Sequence, residues 1–214
     1  MCGIAGVVGL GREAPTLREE EARGMAARLA HRGPDGRGTW RAPSGRAVLG
    51  HARLRVIDLE TGDQPMPNED GSVQAVFNGE VYNFRELRAE LEARGHRFRS
   101  RSDTEVLVHG YEAWGDGLPE RLDGMFAFGI WDEPRRRLLL ARDRTGQKPL
   151  FWTRAGDRLA FASEPKALRT LAWVPDAVDR GALPRYLAYG YVPAPDTLHR
   201  GIRVLPPASR MTVE

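Results

Sequence analysis

A single cysteine, two lysines and the lack of any long apolar run set the first limits on this 214-residue chain. One cysteine forbids an intrachain disulfide, which excludes a small secreted fold held by cross-links. No apolar stretch approaches the ~20 residues that a membrane-crossing helix needs. The N-terminus has no basic segment leading into a long apolar one, so no signal peptide is expected. A cytoplasmic protein without a membrane partner is the resulting expectation. An excess of one charge is also missing: 32 Lys and Arg face 29 Asp and Glu, a net charge of +3. The basic residues, all Arg except Lys148 and Lys166, alternate with acids in stretches such as RELRAELEARGHRFRSRSDTE. A nucleic-acid binder gathers its positive charge on one face or arm, so no such partner is expected. No phosphate-binding G-x-x-x-x-G-K-[ST] loop occurs, and GVVGLG at 6–11 is too weak a glycine pattern to imply a nucleotide. The five histidines show no paired ligand spacing, so no metal is expected.

What is present is a chain with 41% hydrophobic residues, enough for a substantial core. Ile4 to Val8 is a short β-branched run ending at Gly9 and reads as a buried strand. Residues 16–30 carry Leu17, Met25, Ala26 and Leu29 with acids early, which predicts a helix that Thr16 can cap. HRGPDGRG at 31–38 reads as a loop, since Gly and Pro break regular elements there. Strands are expected at 46–54 and 73–79, with a loop between them. Helices are expected over 84–95, where Gly95 suits the left-handed C′ position, and from 102 to 114, with Ser102 or Asp103 as cap. Four strand segments follow, at 125–132, 137–143, 149–153 and 158–163, with connections short enough for hairpins and antiparallel pairing. Strands near both ends with helices between them suggest an α+β layered domain. From 171 the composition turns rich in Pro and Gly, with one short helix candidate at 179–189 and two weak strands.

Cys2 is an unusual place for a lone thiol, because free cysteine ordinarily behaves as a small buried hydrophobe. Removal of Met1 would give Cys2 a free α-amine. That amine titrates near ~7.7–8.0, low enough to act as a base for its own side chain. Asn78-Gly79 has two readings. As a dipeptide it is a hairpin-turn signal, and as a side-chain N–H beside an unhindered backbone N–H it is a donor pair for a developing oxyanion. Arg53 reads either as a solvated strand arginine or as a fork for a carboxylate. Asp103 reads either as a helix cap or as a partner for an ammonium group. Together Arg53 and Asp103 would recognise the two ends of a free α-amino acid, though local spacing does not bring them together.

The stretches MCGIAGVVG, HRGPDG, LGHARLRVIDL, QAVFNGEVYNF, SDTEVLVHGYEAWG, LDGMFAFGIWD, ARDRTGQKPLFW and FASEPKAL, in this order, resemble the glutaminase domain of class II glutamine amidotransferases. RLRVIDL and NGEVYNF make the chain similar to glutamine-hydrolysing asparagine synthetases within that group. The resemblance covers residues 2–170 closely. It covers 171–214 more loosely, as a trailing segment that packs on the main domain or leads toward a synthetase domain not found in this sequence. It implies a four-layer αββα sandwich of two antiparallel sheets, the N-terminal nucleophile hydrolase fold. Carried over residue by residue, it implies Cys2 as nucleophile and Asn78 and Gly79 as the oxyanion hole. It further implies Arg53 for the α-carboxylate, and Asp103, Glu80 and the Ile57 carbonyl for the α-ammonium of L-glutamine. No cofactor is implied for this domain. ATP and Mg²⁺ would serve only the synthetase domain, whose Ser-Gly-Gly-rich loop is not found here. The chain alone is thus expected to release ammonia, with a synthetase domain or separate chain as acceptor and a homodimer left open. Service to a different ligase, or a silent domain that docks with and regulates a synthetase, are the alternative readings.

Overall fold

The computed structural model describes residues 1–11 and 14–214. In chain order its elements are β1 (Gly3–Gly9), α1 (Glu19–Ala27), β2 (Gly36–Arg41), β3 (Ala47–Arg53), β4 (Met66–Pro67), β5 (Val73–Val81), α2 (Phe84–Ala93), α3 (Glu105–Trp114) and α4 (Leu118–Arg121). They continue with β6 (Gly124–Asp132), β7 (Arg137–Arg142), β8 (Phe151–Ala155), β9 (Arg158–Ala162), α5 (Pro165–Leu168), α6 (Leu183–Tyr189), β10 (Ile202–Val204) and β11 (Arg210–Val213). One sheet has the order β10-β8-β9-β1-β3-β2 and the other β11-β7-β6-β5-β4. Every pairing is antiparallel.

Three apolar layers hold the sheets and helices together. Ile4, Leu49, Val76, Trp131, Leu140 and Phe161 meet between the two sheets. Ala5, Val7, Met25, Leu29 and Leu168 join the outer face of the first sheet to α1 and α5. Phe77, Leu91, Leu107, Tyr111 and Phe128 join the outer face of the second sheet to α2 and α3. Two sheets inside and helices outside give the expected αββα sandwich. The layering also explains the unbroken apolar run of β1. Ile4 and Val8 face the opposite sheet while Ala5 and Val7 face α1, so every residue of the strand is buried. A strand covered on both faces has no reason to alternate.

Several local expectations need correction. α1 begins at Glu19 with Arg18 as its N-cap, so Thr16 does not cap it. Glu21 folds back to accept the Arg18 N–H at 3.2 Å and supplies that function. Before α3, Ser102 Oγ accepts the Thr104 N–H at 3.2 Å, whereas Asp103 turns away to accept the Val81 N–H at 3.0 Å. Asn78-Gly79 is not a turn, because β5 runs through it to Val81, paired with β6 in the register Asn78↔Ala127 and Gly79↔Phe126. Edge strands β2 and β4 were not anticipated, and β2 takes up residues 36–38, the end of the expected loop. Their ladders are imposed by β3 and β5, not by their own Gly-, Arg- and Pro-containing sequences. Gly95 does adopt positive φ, +99°. The segment after residue 170 supplies α6 and one edge strand to each sheet, β10 against β8 and β11 against β7. Among the described residues, no helix is long and apolar enough to cross a membrane.

Candidate active site

A cavity of about 140 Å³ opens where the ends of β3 and β5 meet the start of β1, and Cys2, Arg53, Ile57, Asn78, Gly79, Glu80 and Asp103 all line it. The antiparallel register Gly3↔Ala52 sets Cys2 beside the residues that leave β3. The thiol lies against the backbone there. Cys2 Sγ donates to the Leu54 carbonyl at 3.6 Å and accepts the Leu54 N–H at 3.4 Å. Burial raises the thiol above its ordinary pKa. The Leu54 N–H, the nearby positive terminus and Arg53 pull it down, and Asp103 adds to the rise. The net result is a neutral thiol at rest, so a nucleophilic role requires a proton acceptor close by.

Arg32 holds the other side of Cys2. Its Nε donates to the Cys2 carbonyl at 2.9 Å, and its Nη1 pairs with Glu164 Oε1 at 2.9 Å. Burial works against the Glu164 charge, but hydrogen bonds from Arg32, His31 and Lys166 outweigh it and bring the carboxyl down to about 2. The HRGPDG loop therefore fixes the N-terminal backbone through Arg32, a role that its Gly- and Pro-rich composition does not signal. Met1 extends over the cavity, with Lys148 Nζ donating to its Sδ at 3.5 Å.

Asn78 is 1% exposed, yet neither its Nδ2 nor its Oδ1 has a hydrogen-bond partner. An unsatisfied buried amide costs on the order of 1–3 kcal/mol. Here the cost falls on a side chain that faces the cavity lined by the Cys2 thiol. The neighbouring position admits only glycine. A Cβ on Gly79 would stand 2.2 Å from the Met125 carbonyl oxygen of β6. The residues around Asn78 are held rigidly. Gln64 Oε1 accepts the Phe77 N–H at 2.6 Å while its Nε2 donates to Thr104 Oγ1 at 3.2 Å. The Phe77 carbonyl faces His51 Nε2 at 3.2 Å. Burial lowers His51 to about 4, so its ring is neutral. Since a carbonyl only accepts, Nε2 carries the proton and donates. His51 thus ties β3 of one sheet to β5 of the other.

The two ends of the cavity carry opposite charge. Arg53, 4% exposed, donates from Nη1 to Asp63 Oδ1 at 2.6 Å and from Nη2 to the Asp58 carbonyl. Opposite in charge stand Glu80 and Asp103. Burial raises the Asp103 carboxyl, with Val81 N–H opposing and Glu80 adding to the rise, and it titrates at about 6. A cation on one side and two acids on another suit a zwitterion, with the thiol and the Asn78 amide between them. Local reading had no means of joining Arg53 to Asp103. The fold does so because Asp103 is tethered to β5 by the Val81 N–H. Leu54, Gln64 and Thr104 were not foreseen, because each acts through a backbone group or through a contact made only in the tertiary structure.

Comparison with known proteins gives the family. The glutamine amidotransferase domain family matches residues 1–214. The chain is 40% identical over 215 residues to asparagine synthetase [glutamine-hydrolyzing] 3 of Bacillus subtilis, covering 99% of this chain and 34% of that protein. It is 40% identical over 214 residues to asparagine synthetase [glutamine-hydrolyzing] 1 of the same organism, covering 100% and 33% respectively. The chain thus spans about one third of the length of these curated relatives. A solved structure of glutamine phosphoribosylpyrophosphate amidotransferase from B. subtilis shares the fold, with TM-score 0.64, 24% identity, and coverage of 78% of this chain and 43% of that one. The chain belongs to the glutamine amidotransferase domain family, and its relatives carry this domain as the N-terminal part of glutamine-hydrolysing asparagine synthetases.

Proposed function

We propose that this domain hydrolyses L-glutamine to glutamate and ammonia, with Cys2 as nucleophile, and that it delivers the ammonia to an asparagine synthetase-type domain or chain. The observation that carries the reading is the partnerless, buried Asn78 amide lining the same cavity as the thiol. Arg53 binds the α-carboxylate of glutamine, and Asp103, Glu80 and the Ile57 carbonyl bind its α-ammonium. Removal of Met1 clears its side chain from the cavity and frees the Cys2 α-amine. That amine takes the thiol proton as Sγ attacks the side-chain amide carbon of glutamine. Asn78 Nδ2 and the Gly79 N–H hold the resulting oxyanion. The tetrahedral centre collapses as the C–N bond breaks, and the amine returns the proton to the leaving nitrogen, which departs as ammonia. Water then hydrolyses the γ-glutamyl thioester, restoring the thiol and releasing glutamate. By its resemblance to glutamine-hydrolysing asparagine synthetases, the reading extends to aspartate as final acceptor, with ATP and Mg²⁺ serving the accepting domain.

Glutamate release from L-glutamine by purified protein, with mass spectrometry of the N-terminus, tests the reading. Protein lacking Met1 should turn over, and Cys2→Ala should not. Substantial turnover by Cys2→Ala, or no turnover by folded protein with Cys2 at its terminus, overturns it.

A further inference from the structure

Away from the cavity, four metal-ligating side chains converge: Glu69, His96, His109 and Glu112. Their nearest nitrogen and oxygen atoms all lie within 4.8 Å of one another. They come from three places in the chain. Glu69 lies in the β4–β5 connection and His96 between α2 and α3. His109 and Glu112 are three residues apart on one face of α3. No short sequence spacing relates all four, which is why the histidines carry no metal signature when read along the chain.

We propose that these residues bind one divalent ion of borderline softness, Zn²⁺ in the first instance, through His96 Nδ1, His109 Nδ1, Glu69 Oε2 and Glu112 Oε2. Three of the six separations already lie close to those of a metal site, and the rest fall within 4.8 Å. His109 Nδ1 is 3.2 Å from Glu69 Oε2 and 3.4 Å from Glu112 Oε2, and His96 Nδ1 is 3.7 Å from Glu112 Oε2. Bonds of ~2.0–2.1 Å in a tetrahedral site put neighbouring donor atoms about 3.3–3.4 Å apart. Two imidazoles with two carboxylates select zinc and similar ions over Mg²⁺ or Ca²⁺, which prefer oxygen alone.

The surrounding groups are placed as metal sites require. Both carboxylate ligands have their second oxygen held from behind. Asn68 Nδ2 donates to Glu112 Oε1 at 2.7 Å, and the Arg97 N–H donates to Glu69 Oε1 at 3.0 Å. His109 Nε2 makes no hydrogen bond but lies 3.5 Å from Glu105 Oε1, a carboxylate on the side of the ring away from the other ligands. Glu105 is itself fixed by the Arg99 and Ser100 N–H groups at 2.8 and 2.7 Å. His109 is 1% exposed, and three carboxylates surround it. That density of negative charge in a buried place calls for a positive occupant, either a metal ion or a proton on His109. The site also bears on the cavity at a distance, because α3 follows directly on Asp103 and Thr104. An ion here would clamp α3 to the loop carrying Glu69. This inference does not depend on the glutaminase reading.

Equilibrium dialysis of the purified protein against Zn²⁺, followed by elemental analysis and zinc-edge X-ray absorption, tests it. One zinc per chain is expected, with a nitrogen and oxygen shell at about 2.0–2.1 Å, imidazole scattering, and no sulfur at about 2.3 Å. Cys2→Ala should leave the stoichiometry unchanged. Loss of a group that merely orients a ligand costs ~10–100-fold in affinity, so His96→Gln and Glu112→Gln should each cost at least that. These side chains are 19% and 29% exposed, so both variants are expected to fold, as circular dichroism will check. Folded protein that retains no zinc would leave a protonated His109 as the occupant and overturn the proposal. A sulfur shell, or undiminished zinc in His96→Gln and Glu112→Gln, would overturn it equally.

Discussion

Asp103→Asn should make this protein more stable and nearly useless. Burial first, with Glu80 adding to it, raises the Asp103 carboxyl from its ordinary 3.8 to about 6. A difference of about 2 pH units corresponds to about 3 kcal/mol at ~1.36 kcal/mol per unit. The sign follows from the direction. The folded protein holds this proton more tightly than the unfolded chain, so the contribution is favourable below pH 4 and is lost as pH rises to 6. Above pH 6 the folded state carries the full cost of a buried carboxylate. Asparagine keeps an oxygen for the Val81 N–H, now 3.0 Å from Oδ2, and removes the charge. A neutral acceptor makes a weaker hydrogen bond than a carboxylate, so the expected gain at pH 8 is about 1–3 kcal/mol. At pH 4 the gain should nearly vanish. Urea unfolding at both pH values measures it. If Asp103 holds the glutamine ammonium, kcat/KM should fall in the same variant by ~100-fold or more, since breaking a buried charge pair costs about 2–5 kcal/mol. Wild-type kcat/KM should decline as pH falls through 6, and the variant should lose that limb. A variant less stable than wild type at pH 8, or one stabilised equally at both pH values, would refute the reasoning.

Asn78→Ala should lower kcat by ~10²–10³-fold, the usual loss for one oxyanion donor. It should leave the thermal midpoint unchanged or raise it, because the amide has no partner to lose and its unsatisfied burial is relieved. A large fall in that midpoint would mean that the amide is structural. Gly79→Ala should destabilise the fold by about 1–3 kcal/mol or more, because backbone atoms of β6 cannot move aside for the methyl. Gly117→Ala, with nothing within 4 Å and φ of −76°, should be neutral or slightly stabilising in the same thermal melts.

Much of the fold was legible because the determining signals are local. The helical spacing before Gly95, the β-branched run of β1 and the short β6–β7 and β8–β9 connections each fix their element with little help from the rest of the chain. Edge strands β2 and β4 were not legible, since their pairing is dictated by the neighbour. Asn78-Gly79 misled in one of its two readings. The dipeptide favours a turn, yet pairing along all nine residues of β5 overrides that preference. The glycine is required instead by the closeness of Met125.

By itself the sequence determined which reactive groups this protein owns: one thiol next to the N-terminus, an amide beside a glycine, an arginine fork and an acid ahead of a helix. The order of motifs around them identified the family. Only the tertiary structure decided which of these groups meet. The sheet registers bring Cys2 to the end of β3 and carry Asn78 to the same cavity, while one backbone hydrogen bond draws Asp103 onto β5. The same is true of Glu69, His96, His109 and Glu112, scattered in the chain and gathered by α3. The physical reason is that side-chain chemistry is a property of residues, whereas proximity between distant residues comes from burying apolar surface in three stacked layers, and no local pattern encodes that geometry.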